Sequence, residues 1–187
     1  MESKTVYFDK PGSENTDEVL RIARQRADEL GIKTVAVAST KGDTAVRAAE
    51  VFQGLKVVCV THSTGFREPD SQEFTAENRK IVEGKGGIVF TTTHTFAGIS
   101  RAVRNKFNTY IIGDIIASTL RIFGDGMKVA CEIVMMAADA GLVRTDEEVI
   151  AIGGTGRGAD TAVVLNPVNS QKFFDLRIKE VLCKPRF

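Results

Sequence analysis

Two short segments of this chain concentrate the residue types that hold anions. Ser39-Thr40-Lys41-Gly42-Asp43-Thr44 places three hydroxyls, an ammonium and a glycine side by side. Gly153-Gly154-Thr155-Gly156-Arg157-Gly158-Ala159-Asp160 places four glycines around a hydroxyl and a guanidinium, with a carboxylate just beyond. Glycine lacks Cβ, so such a loop can bend sharply and aim several backbone N–H groups at one anion, usually a phosphate. The plainer alternative is a tight structural turn. Lys41 reads either as a phosphate contact or as a solvated loop charge. Two more segments share this chemistry: Thr61-His62-Ser63-Thr64-Gly65-Phe66 and Thr91-Thr92-Thr93-His94-Thr95. Phe66 and Phe96, in or next to these polar stretches, could face an aromatic ligand or simply anchor their loops.

His62 and His94 invite a metal or acid–base role. A metal would need a third protein ligand, for which only Asp43 and Asp114 offer themselves, so no metal site is expected. As a general base, either histidine would need an orienting partner, and no carboxylate is obviously placed for it. Hydrogen bonding to loop backbone is the plainer role for both. Motifs with fixed spacings are absent. No GxxxxGK[ST] loop occurs, and Gly154-x-Gly156-x-Gly158 leads into the strand-like Thr161 to Leu165 where a dinucleotide fingerprint needs a helix. GxSxG and HExxH are also missing.

The elements that must position these residues follow from hydrophobic periodicity. Val19, Leu20, Ile22, Ala23, Ala27 and Leu30 recur at helical spacing. Thr16 is the expected N-cap of that helix and Gly31 its stop. Lys33 to Ala38 and Lys56 to Val60 read as buried strands flanking a helix from Thr44 to Phe52. This unit implies a parallel pair with a right-handed crossover. Thr61 to Gln72 is long for such a unit, and long loops in compact domains are often functional. A helix from Glu73 to Val82, a strand from Gly87 to Phe90, and helices over Phe96–Phe107 and Ile115–Leu142 follow, the last interrupted near Gly124. Val149 to Ile152 and Thr161 to Leu165 are strands around the glycine loop, and Asp175 to Leu182 alternates as a half-exposed edge strand would. All four chemically rich segments therefore leave the end of a strand. In open parallel sheets that edge is where ligands bind, and hydroxyls with a following helix N-terminus favour phosphate.

Bulk composition narrows the classes. The chain has 187 residues, 43% hydrophobic and 26% charged, with a formal net charge of +1, which fits one α/β domain over residues 1–187. No basic excess points to nucleic acid; Arg101, Arg104 and Lys106 read as a solvated helix face. No apolar run reaches the ~20 residues of a membrane span. The start, Met1-Glu2-Ser3-Lys4, carries no signal-peptide pattern, and Cys59, Cys131 and Cys183 form no CxxC, so a cytoplasmic location with buried thiols is expected. Met135 and Met136 belong to the core. Apolar helix faces around Gly124 favour a homo-oligomer.

Val35-Ala36-Val37-Ala38-Ser39-Thr40-Lys41-Gly42-Asp43-Thr44-Ala45 resembles the first strand and following loop of the pyruvate kinase C-terminal domain, an apolar strand followed by T-x-S-G-x-[ST]-A. Lys56 to Thr61 is similar to that domain's next strand. Gly141-Leu142-Val143, Asp146 to Gly153 and the glycine loop resemble its ending, with Asp146-Glu147 in place of a Gly-Asp pair. On these segments the chain is identified as a stand-alone member of the pyruvate kinase C-terminal-domain-like (pyruvate kinase alpha/beta domain) family; His62 to Ala140 shares little with the pattern. The resemblance implies a three-layer α/β/α sandwich with a mostly parallel sheet. It does not extend to the catalytic barrel, so pyruvate kinase activity is not expected. In allosteric pyruvate kinases the two matching loops cradle a sugar bisphosphate; here they would be Ser39–Thr44 and Gly153–Asp160. Asp43 stands where a basic residue can occur, which favours a single phosphate.

One phosphate with an uncharged body describes a mononucleotide. Flavin mononucleotide (FMN) is the first expectation, because flavodoxin-like sheets hold it at their strand ends. Ser39, Thr40, Lys41, Gly42 and Thr44 would take the phosphate. Thr91, Thr92, Thr93 and Thr95 with the glycine loop, mainly Thr155 and Arg157, would meet the ribityl chain and ring edges. A flavin-dependent oxidoreductase would follow. The alternatives are an effector-sensing module for a sugar phosphate or nucleotide, and a small hydrolase or transferase using His62 or His94.

Overall fold

The computed structural model describes residues 2–187; Met1, the first residue of the N-terminal stretch read above, lies outside the described residues. Seven strands form one sheet: β1 (Val6–Phe8), β2 (Thr34–Ala38), β3 (Lys56–Val60), β4 (Ile88–Phe90), β5 (Val149–Gly153), β6 (Thr161–Asn166) and β7 (Arg177–Pro185). Their order across the sheet is β1-β7-β6-β5-β2-β3-β4. β5, β2, β3 and β4 run parallel, β6 is antiparallel to both its neighbours, and β1 is parallel to β7. Six α-helices complete the fold: α1 (Thr16–Leu30), α2 (Asp43–Val51), α3 (Ala76–Gly84), α4 (Gly98–Phe107), α5 (Ile112–Arg121) and α6 (Asp125–Asp139).

The period-2 alternation of the strands builds two separate cores. Val35, Val37, Val57, Cys59, Ile150 and Ile152 face α1, α2 and α3, with Val19, Leu20, Ala48, Phe52 and Val82 packed on them. Ala36, Val58, Val60, Val149, Ala151 and Val163 face the other way, onto Met127, Cys131, Val134 and Met135 of α6. The molecule is therefore the expected three-layer α/β/α sandwich, mostly parallel. Both faces of the central strands are covered, which is why they read as continuous apolar runs.

Several boundaries differ from the sequence reading. Thr16 is the first residue of α1, not its N-cap. Its hydroxyl donates to Ser13 O (2.8 Å) and accepts from the Ala159 N–H (3.0 Å), so it ties α1 to the glycine loop. Gly31 does end α1, in the left-handed region at φ 69. α3 starts at Ala76, because the Thr75 hydroxyl accepts from the Asn78 N–H (3.1 Å) and caps it there; Glu73 is left in the preceding loop. β7 is not the sheet edge. The three-residue β1, too short to show a period, pairs with Cys183–Pro185 and takes the edge.

Candidate functional site

Because β5, β2, β3 and β4 are parallel, their carboxyl ends lie on one edge of the sheet, and a cleft of about 800 Å³ opens there. Ala38 ends β2 and Ser39 follows it, Val60 ends β3 and Thr61 follows it, and Gly154 to Gly158 leave β5. Lys128, Val129, Glu132, Ile133 and Met136 of α6 line another side, and Arg101, Arg104, Asp114 and Arg121 of α4 and α5 a third. Ser39, Thr40, Lys41, Asp43, Thr44, Thr61, His62, Phe66, Gly154, Gly156, Arg157 and Gly158 all line this cleft. Gly65 and Thr93 line a smaller adjoining hollow with Phe66, His94 and Arg101. Gly42, Thr91, Thr92, Thr95, Gly153, Thr155 and Asp160 line neither.

The first loop is held by its neighbours. The Ser39 N–H donates to Val60 O (3.0 Å), extending the β2–β3 ladder past the strand. Gly42, at φ 109, precedes α2 and has no side chain to cap it; the Ser39 hydroxyl substitutes, accepting from the Ala45 N–H at 3.3 Å. A Cβ on Gly42 would strike the side chain of Asn78, whose amide donates to Lys41 O at 3.0 Å. The glycine loop is organised from beneath. Asp160 is fully buried, and its carboxylate accepts from the N–H groups of Gly12 and Thr155 (3.0 Å each) and from the Thr161 hydroxyl (2.8 Å). Asp160 thus shapes the loop from outside the cleft. The Thr155 hydroxyl is buried with no partner among the described residues.

The sequence reading missed most of the charge in the cleft. Arg101 and Arg104 are not a solvated face: Arg101 lies over the Phe66 ring at 4.1 Å, and Arg104 pairs with the buried Asp114. Asp114 is thereby spoken for, and no group of three metal-ligating side chains occurs among the described residues. Lys128 and Glu132 form a buried pair one turn apart on α6, and Glu132 also accepts from the Phe96 N–H (2.9 Å). Three cleft cations, Lys41, Arg101 and Arg157, make no ion pair with a carboxylate among the described residues.

The histidines also gain partners. His62 Nδ1 lies 2.7 Å from Glu73 Oε2, so a carboxylate does orient one histidine, contrary to the sequence reading. The signal that could have found it is the polar loop doubling back, with Glu73 left outside α3. Burial pushes Glu73 up, but the hydrogen bond from His62 and the charges of His62, Arg67 and Arg157 outweigh it and hold the carboxyl below its ordinary range. The His62 ring stacks on Phe66 at 3.9 Å and meets His94 edge-on at 5.4 Å. Burial pushes His94 below its ordinary value; Glu132 opposes this, and His62, Lys128 and Arg101 add to it. Burial raises Cys59, Cys131 and Cys183 to about 12, so all three stay protonated thiols at neutral pH.

Residues 17–165 match the family model of the pyruvate kinase alpha/beta domain. The chain belongs to that family. Two crystal structures of pyruvate kinase from Cryptosporidium parvum are similar to it at 12% identity, with TM-scores of 0.45 and 0.44. The likeness covers 82% and 85% of this chain and 23% of each of those chains, so the chain spans under a quarter of their length. A crystal structure of O-ureido-L-serine synthase is similar over 57% of this chain and 29% of that one, at 19% identity and a TM-score of 0.31.

Proposed function

We propose that the cleft binds a phosphorylated organic ligand of mononucleotide size. The observation that carries this reading is the convergence of Lys41, Arg101 and Arg157, none in an ion pair among the described residues, on one cleft of a chain whose net charge is only +1. Cations held together in one cleft repel one another until an anion joins them, and charge-assisted hydrogen bonds to phosphate are among the strongest a side chain makes. The phosphate sits at the β2–β5 end, against Lys41, Thr44, Arg157 and the start of α2. From β5 to β4 the strand exits extend over three strand spacings, about 14 Å, and a cleft of about 800 Å³ lies in the range of small-molecule sites.

FMN is the first ligand to test. Val129, Ile133 and Met136 offer an apolar wall to a flavin, which would supply redox chemistry when bound. A purified protein that carries FMN absorbs near ~450 nm. A protein that is colourless and takes up no added FMN overturns the flavin reading. One observation favours a second ligand class, a sugar phosphate held as an effector. His62, Glu73 and Arg101 make the β3–β4 end polar, which suits hydroxyl groups better than a flavin ring. A panel of sugar phosphates and nucleotides then raises the melting temperature by mass action. No shift with any phosphorylated compound overturns the binding reading itself.

A further inference from the structure

We propose that His62, oriented by Glu73, makes the β3–β4 end of the cleft a proton-transfer site that interconverts phosphorylated aldoses and ketoses. The inference rests on the phosphorylated-ligand reading and takes its sugar-phosphate branch.

The geometry supplies what an enolisation needs, a fixed base and a cation beside the oxygen that becomes charged. The 2.7 Å contact from Nδ1 to Glu73 assigns the Nδ1 proton to that carboxylate. It leaves Nε2, with its lone pair, without a protein partner among the described residues. The ring is fixed in plane by stacking on Phe66 at 3.9 Å. Its backbone is fixed as well, because His62 O accepts from the Thr61 hydroxyl (2.7 Å) and the Gln72 amide (3.0 Å). The Arg101 guanidinium lies 4.1 Å from the centre of the same Phe66 ring, over the face that His62 leaves free, and makes no ion pair among the described residues; a substrate oxygen reaches it around the ring edge. A phosphate held at the end of β2 is one strand spacing, about 5 Å, from the end of β3. The carbon chain of a short sugar phosphate covers that distance.

The step balances without a co-reactant. His62 Nε2 takes the proton from the hydroxyl-bearing carbon next to the carbonyl. The C–H electron pair becomes a C=C bond, and the carbonyl π pair moves onto its oxygen beside Arg101. The proton of the neighbouring hydroxyl passes to that oxygen. The O–H pair left on that oxygen closes the new carbonyl, and the C=C pair takes the proton back from the imidazolium at the adjacent carbon. An aldose phosphate has become its ketose isomer, and nothing is consumed. His94, 5.4 Å from His62 between ring centres, is placed to carry the proton between the two oxygens.

The test uses the full chain in D2O with triose, pentose and hexose phosphates. NMR follows exchange of the proton on the carbon next to the carbonyl, and melting temperature follows binding. Wild type should wash deuterium into that position and form the ketose. His62→Gln should slow exchange by at least ~100-fold, the usual worth of a positioned base, while keeping the melting shift. Glu73 is a positioning residue. Glu73→Gln should keep binding and lower kcat with KM unmoved, because the imidazole loses the carboxylate that orients it, and Glu73→Asp should restore part of the rate. Melting shifts without deuterium exchange overturn the proposal and leave ligand binding standing. So does exchange that survives His62→Gln. Tightly held flavin in the purified protein also overturns it. No melting shift at all removes the binding reading beneath it.

Discussion

Asp160 is fully buried, and three donors converge on its carboxylate: the N–H groups of Gly12 and Thr155 and the Thr161 hydroxyl. Asp160→Asn turns one acceptor edge into a donor facing a donor. A loss of about 2–3 kcal/mol is expected in denaturant unfolding, and a change within about 0.5 kcal/mol would show that the loop does not depend on it. Thr155 presents the opposite case. Its hydroxyl is buried and unpartnered, so Thr155→Val should leave stability unchanged or raise it. Reduced affinity for a phosphorylated ligand in that variant would instead make the hydroxyl a ligand contact. Lys41 lines the cleft and belongs to the proposed anion site. Lys41→Ala should weaken phosphate-ligand binding about tenfold or more, the usual worth of a charge-assisted bond, with the melting temperature of the free protein unmoved. Unchanged affinity would make Lys41 a solvated loop charge. The glycines and hydroxyls around these positions were legible in the sequence because each acts locally. The acceptor role of Asp160 was not, since one of its donors, Gly12, lies far away in the chain.

At the scale of elements, α4 and α5 stand apart. α4 buries none of its residues. Ile99, Phe107, Tyr110, Ile112, Ile115, Ile122 and Phe123 are all more than half exposed. Exposed apolar side chains this dense in one stretch of chain mark candidate interaction surfaces. Self-association through this helix pair is the expected consequence. Sedimentation should show a dimer or larger species in wild type and a shift toward monomer in the Phe107→Glu/Ile112→Glu double variant. A wild-type monomer at all accessible concentrations would end that expectation. The same helices explain one failure of the sequence reading. Arg101 and Arg104 look like an ordinary charged face, and only the position of α4 over the strand ends makes them cleft residues. β7 is a similar case: its alternation is real, but a three-residue partner strand is below the length at which a period can be read.

For the whole molecule, His94 sets a pH dependence. Its folded pKa lies below the ordinary 6.5, chiefly through burial. The unfolded chain therefore binds more protons between the lowered value and 6.5, and stability rises with pH across that window. The contribution is complete above about 6.5 and fades as pH falls through that window. Thermal melts from pH 5 to 8 should show this slope, and His94→Gln should flatten it; an unaltered slope in the variant would assign the dependence to other groups. The three-layer order was legible because alternation along β2, β3 and β5 is a local pattern that either a helix or water must answer on each face. The edge on which the cleft opens was legible because parallel strands force their polar exits to one side. What only the tertiary structure decided is which distant side chains meet there. The chain's crossings fold Glu73 back onto His62, bring α4 and α6 over the strand ends, and gather three cations that form no ion pair among the described residues, in a chain that is nearly neutral. None of these meetings follows a sequence period, because each joins separate elements through packing, and packing is set by the whole sheet at once.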